Sequence, residues 1–309
     1  MHALWRWSGT WNKQELMIDL AIAYRIYPRV SKAPAVWADD KFKLSAFSLH
    51  SFKQALGSLR VKMWVLLDGC PAAYEDLFRR YFNDDELIIL RLEGIGNLPT
   101  FSMQVDLLSN QHDADLVYFA EDDYLYLPNA LVEMVDFARN NGSADFVTPY
   151  DHSGNYDLPL VRERHWIVPF GHRHWRTSTA TCLTFLAKKQ SLLSTRSLFK
   201  TYLNRNDDGS IWMAITQKTG LFNFRVYARD SVMLKLWLKA WYWGYRQILF
   251  GRSYKLWSPV PSLSTHLEST CLAPVIDWNV EFHRAEQETA ACCGGPEGVA
   301  IAKPGNGRV

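Results

Sequence analysis

A chain of 309 residues that is 48% hydrophobic can bury a full core, and its 13 Trp within 14% aromatic residues exceed what a core alone needs. A formal charge of +2 excludes a global attraction to nucleic acid, so any basic surface is local. Five cysteines, Cys70, Cys182, Cys271, Cys292 and Cys293, are odd in number and irregular in spacing, which argues against a disulfide framework and a Cys-x-x-Cys zinc site.

The first residues, Met1-His2-Ala3-Leu4-Trp5-Arg6-Trp7, lack the charged and apolar regions of a signal peptide. Residues 17–24 read as a buried strand and 45–57 as an amphipathic helix. A second apolar run over 61–67 is cut short by Asp68-Gly69-Cys70-Pro71. Helix-like sequence follows over 72–82, a third strand over 86–90, and a helix over 99–110 with Pro99 in its first turn. Residues 116–120 are a fourth apolar run that ends in Glu121-Asp122-Asp123. Pro128 opens a helix that runs through Arg139, and 145–149 supplies a further strand. Strands and helices alternating at this spacing predict an α/β fold with a mostly parallel sheet covered on both faces.

After Tyr150 the composition changes. Residues 151–178 hold His152, His165, His172 and His174 among Trp166 and Trp175, and read as a long ordered loop. The irregular histidine spacing argues against a zinc-type site there. Residues 179–187 return to strand chemistry, helices are expected over 189–203 and 209–219, and 231–248 is a Trp-rich, basic helical stretch. From about Ala290 the chain is rich in Gly, Ala and Pro and reads as a disordered tail.

Ligands of open α/β sheets bind beyond the carboxyl ends of the strands. The run over 116–120 delivers three adjacent carboxylates to that edge. Unpaired, they repel one another and are costly to bury. A divalent cation removes that penalty and gives a diphosphate a positive centre, and hard oxygen ligands suit Mg²⁺ or Mn²⁺. A solvated acidic turn, or a cap for the helix at Pro128, is the alternative.

Val117-Tyr118-Phe119-Ala120-Glu121-Asp122-Asp123-Tyr124 resembles the DXD-type segment of GT-A glycosyltransferases in a Glu-Asp-Asp form, and the order of motifs is similar over about residues 17–280. The resemblance implies a GT-A-like, Rossmann-like sheet with a helical, aromatic-rich C-terminal extension. Residues 1–150 would form the half that binds a nucleoside diphosphate sugar, 151–289 the acceptor half with the basic extension, and 290–309 the tail. It further implies a metal held by Glu121, Asp123 and His266, with Asp123 in direct contact, and Asp122 beside the donor. Asp68, at the end of the second strand, would meet the base or ribose. Tyr24 and Arg25 fall in the first nucleotide loop, although the family's Pro-x-Tyr-Asn type of sequence is missing there. Asp151 and His152 would touch the donor sugar. In Asn206-Asp207-Asp208-Gly209 the resemblance implies a catalytic base, Asp208 with Asp207 second, although Asn and Asp are also favoured helix caps.

A base at Asp208 implies transfer of the sugar to an acceptor hydroxyl with inversion; if Asp208 is only a cap, retention stays open. Lys235, Lys239 and Arg246 share one helical stripe with Tyr242 between them, and Trp237, Trp241, Trp243 and Tyr245 around it. That pattern suits a helix lying on an anionic bilayer, at the inner face of the cell membrane, near a glycan or lipid-linked acceptor of bacterial surface-polysaccharide synthesis. A core helix with Lys stems at the surface reads equally well. No run of about 20 apolar residues occurs, so the expected compartment is the cytoplasm, with at most a peripheral membrane contact. A nucleotidyltransferase that makes sugar nucleotides would carry a Gly-rich basic loop where Tyr24-Arg25-Ile26-Tyr27-Pro28 stands. A non-catalytic membrane-surface scaffold, its acids capping helices, is the remaining class. A nucleic-acid partner is not expected from one short basic stripe.

Overall fold

The computed structural model describes residues 18–28, 33–157, 165–217, 221–222, 224–228 and 230–293. The first half alternates as the apolar runs require: β1 (Leu20–Ile26), α1 (Lys41–Leu56), β2 (Val61–Asp68), α2 (Ala73–Arg79), β3 (Leu87–Leu92), α3 (Asn97–Asn110) and β4 (Leu116–Glu121). These four strands are parallel in the order β3-β2-β1-β4. The chain steps outward from β1 to β3 and then returns to the far side of β1. The β1–β4 pair is therefore the topological switch point, where a crevice opens at the carboxyl ends of the strands.

The second half contributes β5 (Tyr124–Tyr126), α4 (Ala130–Asn140), β6 (Phe146–Val147), α5 (Gly154–Asp157), β7 (Ile167–Phe170), β8 (Arg173–Ser178) and β9 (Phe185–Lys188). It continues with α6 (Lys189–Phe199), a 3-10 turn (Lys200–Asn204), α7 (Asp208–Thr216), α8 (Phe224–Tyr227), α9 (Ser231–Phe250), β10 (Leu256–Val260), β11 (Ser264–His266) and α10 (Trp278–Cys293). The sheet extends from β4 as β9-β6-β10-β8-β7 to nine strands, with β6 and β10 parallel and the other added pairs antiparallel. Strands from both sides of residue 150 thus share one sheet, while β5 and β11 form a separate antiparallel ribbon.

Alternation along β1 sorts the core into two layers. Leu20, Ile22, Tyr24 and Ile26 pack with residues of α1, α2, α4 and α10, whereas Ala21 and Ala23 face α3, α6, α7 and α9. The helices start where caps allow. Asp40 accepts the Lys43 N–H at 3.0 Å before α1, and Asp230 accepts the Val232 and Met233 N–H groups before α9. Helix α9 lies close on α7 because Gly244 has no side chain: a Cβ there would sit 2.6 Å from the Ala214 Cβ.

Several expectations change. The loop expected over 151–178 contains α5, β7 and β8, and the two strands form the edge of the sheet. Edge position explains the weak signal, since β7 alternates only between exposed and half-buried residues and β8 buries polar Arg176, Thr177 and Ser178. The strand expected over 179–187 begins only at Phe185. Residues 290–293, read as the start of a tail, are the last turn of α10; the rest of that tail, like the expected absence of a leader at the N-terminus, lies outside the described residues. Among the described residues no helix is long and apolar enough to cross a membrane.

Candidate active site

The ends of β1, β2 and β4 and the start of α3 enclose a cleft of about 440 Å³, lined by Arg25, Lys41, Asp68, Asn97, Thr100 and the acidic run Glu121, Asp122 and Asp123. Each acid of the run has a different fate. Glu121 ends β4 directly opposite Arg25 of β1, and the guanidinium bonds its carboxylate. The second oxygen of Glu121 accepts the Thr184 hydroxyl at 2.9 Å. Arg25 also donates to the Asn97 carbonyl at 3.1 Å and lies 5.6 Å from the centre of the Phe101 ring. Asp122 turns inward and is held by the Ser45 hydroxyl at 2.6 Å and the Lys41 ammonium at 2.7 Å. Burial pushes its carboxyl up against the pull of Lys41, and Asp123 beside it adds to the rise.

Asp123 is held differently. Its Oδ2 lies 3.3 Å from His266 Nε2, while its Oδ1 is buried without a hydrogen-bond partner, as is His266 Nδ1. The β5–β11 ribbon makes this meeting, pairing His266 with Tyr124 and sending the Leu267 N–H to the Asp123 carbonyl at 2.7 Å. Burial disfavours both charges, yet the pair overrides it. Asp123 is held below the usual carboxylate value, and His266 above the usual imidazole value with help from Glu121 and Glu268.

Among the described residues no three His, Cys, Asp or Glu side chains converge as a metal-ligand set. The expected trio of Glu121, Asp123 and His266 is therefore not gathered, because Arg25 and Thr184 occupy both oxygens of Glu121. Asp123, with one buried oxygen unpartnered, would hold a cation that takes its other positions from phosphate and water, and His266 would join it only in its neutral form.

Two other expected contacts change character. Both oxygens of Asp68 accept backbone N–H groups, from Ile95 and Gly96 at 2.7 Å each, so this carboxylate shapes the turn before α3 while lining the cleft. Gly96 makes the turn possible at φ +90°. Tyr24 does not reach the cleft. As the residue before Arg25 it faces the opposite layer, where its ring sits edge-on to Phe52 and Phe78 at 5.1 and 5.3 Å and its hydroxyl lies 3.4 Å from the Ser48 hydroxyl.

A second cavity, of about 240 Å³, is lined by Tyr150, His152, Thr181, Cys182, Asp208, Met213, Met233 and Leu236. Asp208 is the first residue of α7, and its Oδ1 accepts the Gly209 N–H at 2.7 Å. Burial raises its carboxyl above the ordinary aspartate value, Glu121 and Asp207 add to the rise, and the Gly209 N–H opposes it. Asp207 instead pairs with Lys239 at 2.8 Å, and the Asn206 side chain organises the helix start by accepting the Asp207 N–H at 3.0 Å and the Ser210 hydroxyl. Of the two candidate bases, Asp208 is the one that lines the cavity. Burial pushes the half-buried Cys182 thiol up, and the field of Asp208, Glu121 and Asp123 adds to the rise. Asp151 is committed elsewhere: Arg176 at 2.5 Å, Asn155 at 3.3 Å and the Tyr156 hydroxyl hold it, and His152 is the neighbour that lines the cavity.

Sequence reasoning missed Lys41, Ser45, Asn97 and Thr184. Ser45 left a signal, since Ser45, Ser48 and Ser51 recur at three-residue spacing on the buried side of α1. A larger cavity of about 530 Å³ lies at the amino ends of β1 and β4, lined by Ile18, Asp115, Leu116 and Lys189, away from the acidic run.

Neither a protein-family model nor a curated protein matches the chain. Among solved structures, the galactosyltransferase LgtC, in complex with donor and acceptor sugar analogs, is similar at 12% identity over 90% of this chain and 98% of that one, with a TM-score of 0.44. The glycosyltransferase GlyE of Streptococcus pneumoniae TIGR4 is similar at 12% identity over 87% of this chain and 63% of that one, TM-score 0.38. A cytidylyltransferase from Leptospira borgpetersenii serovar Hardjo-bovis (strain JB197) is similar at 11% identity over 58% and 64%, TM-score 0.32. The chain spans a little under two thirds of the length of these last two. Likeness at this level assigns neither family nor activity.

Proposed function

We propose that the protein transfers a sugar from a nucleoside diphosphate sugar to an acceptor hydroxyl with the help of Mg²⁺ or Mn²⁺. What carries the reading is the Asp123–His266 pair: Asp123 lines the switch-point crevice, and each residue keeps one buried atom without a partner. When bound there, the cation supplies charge stabilisation to the departing diphosphate.

The remaining roles fall to the chain's own groups. Arg25 and Lys41 line the cleft and balance Glu121 and Asp122, so the acidic run carries little uncompensated charge before a diphosphate arrives. Asp68 fixes the turn that starts α3, a helix whose positive end favours phosphate oxygens. Asp208 takes the proton of the acceptor hydroxyl. As that O–H bond breaks, the acceptor oxygen bonds to the anomeric carbon and the bond from that carbon to the diphosphate oxygen breaks. Its raised pKa makes it a better proton acceptor than an ordinary carboxylate once ionised. A single displacement of this kind inverts the anomeric centre.

A thermal-shift panel of nucleoside diphosphates and triphosphates, with and without Mn²⁺, tests the proposal. At least one diphosphate should raise the melting temperature only when Mn²⁺ is present. Stabilisation by a triphosphate alone would move the reading to a nucleotidyltransferase that makes sugar nucleotides. No metal-dependent shift with any nucleotide would leave a non-catalytic scaffold.

A further inference from the structure

We propose that α9 is a docking face for an anionic lipid surface. The helix has 20 residues, carries Lys235, Lys239 and Arg246, and contains no acid. Its inner side is fully used: Ala240, Gly244 and Ile248 recur every four residues, and Gly244 meets Ala214 of α7. The outer side is equally regular. Lys235, Leu238, Tyr242, Tyr245 and Leu249 are exposed at alternating three- and four-residue spacing, which places them along one stripe. Tyr242 is 73% exposed and Phe250, at the end of the same side, 83%. Apolar exposure continues into Phe222 and Phe224, whose rings lean on Trp241 and Trp237 at 5.8 and 5.3 Å.

The face differs from the sequence expectation in which aromatics it offers. Trp237 and Trp241 turn inward and donate their indole N–H groups to the Leu221 carbonyl at 2.8 and 3.4 Å. The rings that the stripe itself offers an interface are Tyr242 and Tyr245, with an apolar body and a polar tip, beside the exposed phenylalanines. Lys239 is also engaged, bonded to the Arg205 carbonyl at 2.7 Å and to Asp207. Among the described residues no carboxylate pairs with Lys235 or Arg246, so these two cations stay available beside the apolar stripe.

Charge decides the occupant. A second copy of the chain, related by a two-fold axis through this face, would set cations against cations with no acid on α9 to answer them. An anionic headgroup layer answers them directly, while Leu238, Leu249 and Phe250 enter the acyl boundary. The same helix reaches the second cavity through Met233 and Leu236, which line it together with Asp208. A protein docked by α9 therefore holds that cavity beside the lipid, where an acceptor with a lipid anchor would present its hydroxyl. This last step rests on the transfer reading, whereas the docking itself does not.

Co-sedimentation with vesicles tests the docking. Wild type should sediment with phosphatidylcholine–phosphatidylglycerol vesicles, less at high salt, and not with phosphatidylcholine alone. Lys235→Gln with Arg246→Gln should weaken the partitioning on the order of tenfold or more, and Leu238→Ser with Leu249→Ser should abolish it, both at an unchanged melting temperature. Failure of wild type to sediment, or a charge variant that binds like wild type, overturns the proposal. So does a wild-type dimer that the serine pair makes monomeric while vesicles stay unbound, since the face would then be an interface between copies. Mn²⁺-dependent stabilisation by nucleoside diphosphate is read in parallel: its absence in a protein that still docks would sink the transfer reading and leave the docking standing.

Discussion

Asp123 and His266 meet 3.3 Å apart across a ribbon of only two strands, because β11 pairs with β5 and sets His266 opposite Tyr124. The arrangement buries one unpartnered atom on each residue, Asp123 Oδ1 and His266 Nδ1. Unsatisfied buried polar atoms are costly, which is the reason to propose a ligand for this pair.

Asp123→Ala is accordingly expected to fold as the wild type does and to lose Mn²⁺-dependent binding of nucleoside diphosphate. His266→Ala should weaken diphosphate binding on the order of tenfold while changing monophosphate binding less, the range of a lost charge-assisted contact. Isothermal titration of both nucleotides, with melting temperatures alongside, separates a ligand from a structural histidine. Unchanged affinity in Asp123→Ala would remove the central support for a metal-assisted site.

Asp68 makes a different prediction from the one its position implies. Because both oxygens receive backbone N–H groups, Asp68→Ala leaves the Ile95 and Gly96 donors without their acceptor. Stability should fall by about 2 kcal/mol or more, as measured by urea unfolding. A nucleotide ligand that played no part in the turn would lower affinity and leave unfolding unchanged.

Gly244 is predicted to be irreplaceable only while Ala214 faces it. Gly244→Ala places a Cβ 2.6 Å from the Ala214 Cβ, so it should destabilise by about 1–3 kcal/mol. Adding Ala214→Gly opens the space again, and the double variant should recover much of the loss. A double-mutant cycle measures this coupling. Independent, additive effects would mean that α9 does not sit on α7 at this point.

Asp19 offers a pH test of how β1 is held to its neighbours. Burial alone would raise its carboxyl, but hydrogen bonds from Arg60 and Arg139 override this and hold it at about 2, below the ordinary 3.8. A depressed pKa contributes stability that is present above 3.8 and is lost as the pH falls through about 2. The stability difference between wild type and Asp19→Asn should therefore be steady above that window and shrink within it. A difference that persists at the acid end would assign Asp19 a packing role instead of an ionic one.

The parallel half of the sheet was legible because its signals are local. β1 and β4 are short apolar runs, buried on both faces, and β4 ends in the acids that mark the crevice. The edge strands β7 and β8 were not legible, because half-exposed and polar residues carry no clean alternation. The site shows the same division. Motif order brought out Asp123, which lines the crevice and lies 3.3 Å from His266, and Asp208, which lines the second cavity. Pairings made only in three dimensions were invisible: nothing in sequence says that Arg25 faces Glu121, that Lys41 meets Asp122, or that Asp68 is consumed by two amides. Tyr24 was misplaced by one residue of strand alternation, which sends it into the core and leaves Arg25 at the cleft.

The last prediction ties Asp208 to a stereochemical course. Asp208→Asn keeps the shape and leaves an amide oxygen to accept the Gly209 N–H, so the start of α7 should persist. The sign of the stability change follows from the raised carboxyl pKa. Such a group contributes stability that is fully present below 3.8 and lost as the pH rises through the folded value, because burial opposes its charge. The uncharged amide has no such loss, so the variant should melt no lower than wild type at neutral pH, and its advantage should grow as the pH is raised through that window. Turnover should fall on the order of a hundredfold or more, the usual range for a missing general base, while Mn²⁺-dependent nucleotide binding survives. The wild-type rate should climb with pH as Asp208 ionises, above the range of an ordinary aspartate. Once a donor is found, NMR of the product should show an anomeric configuration inverted relative to that donor. An active Asp208→Asn enzyme, or a retained configuration, would reduce Asp208 to a residue that shapes the start of a helix and move the search for a base to His152, the other titratable side chain on the wall of that cavity that can accept a proton at neutral pH.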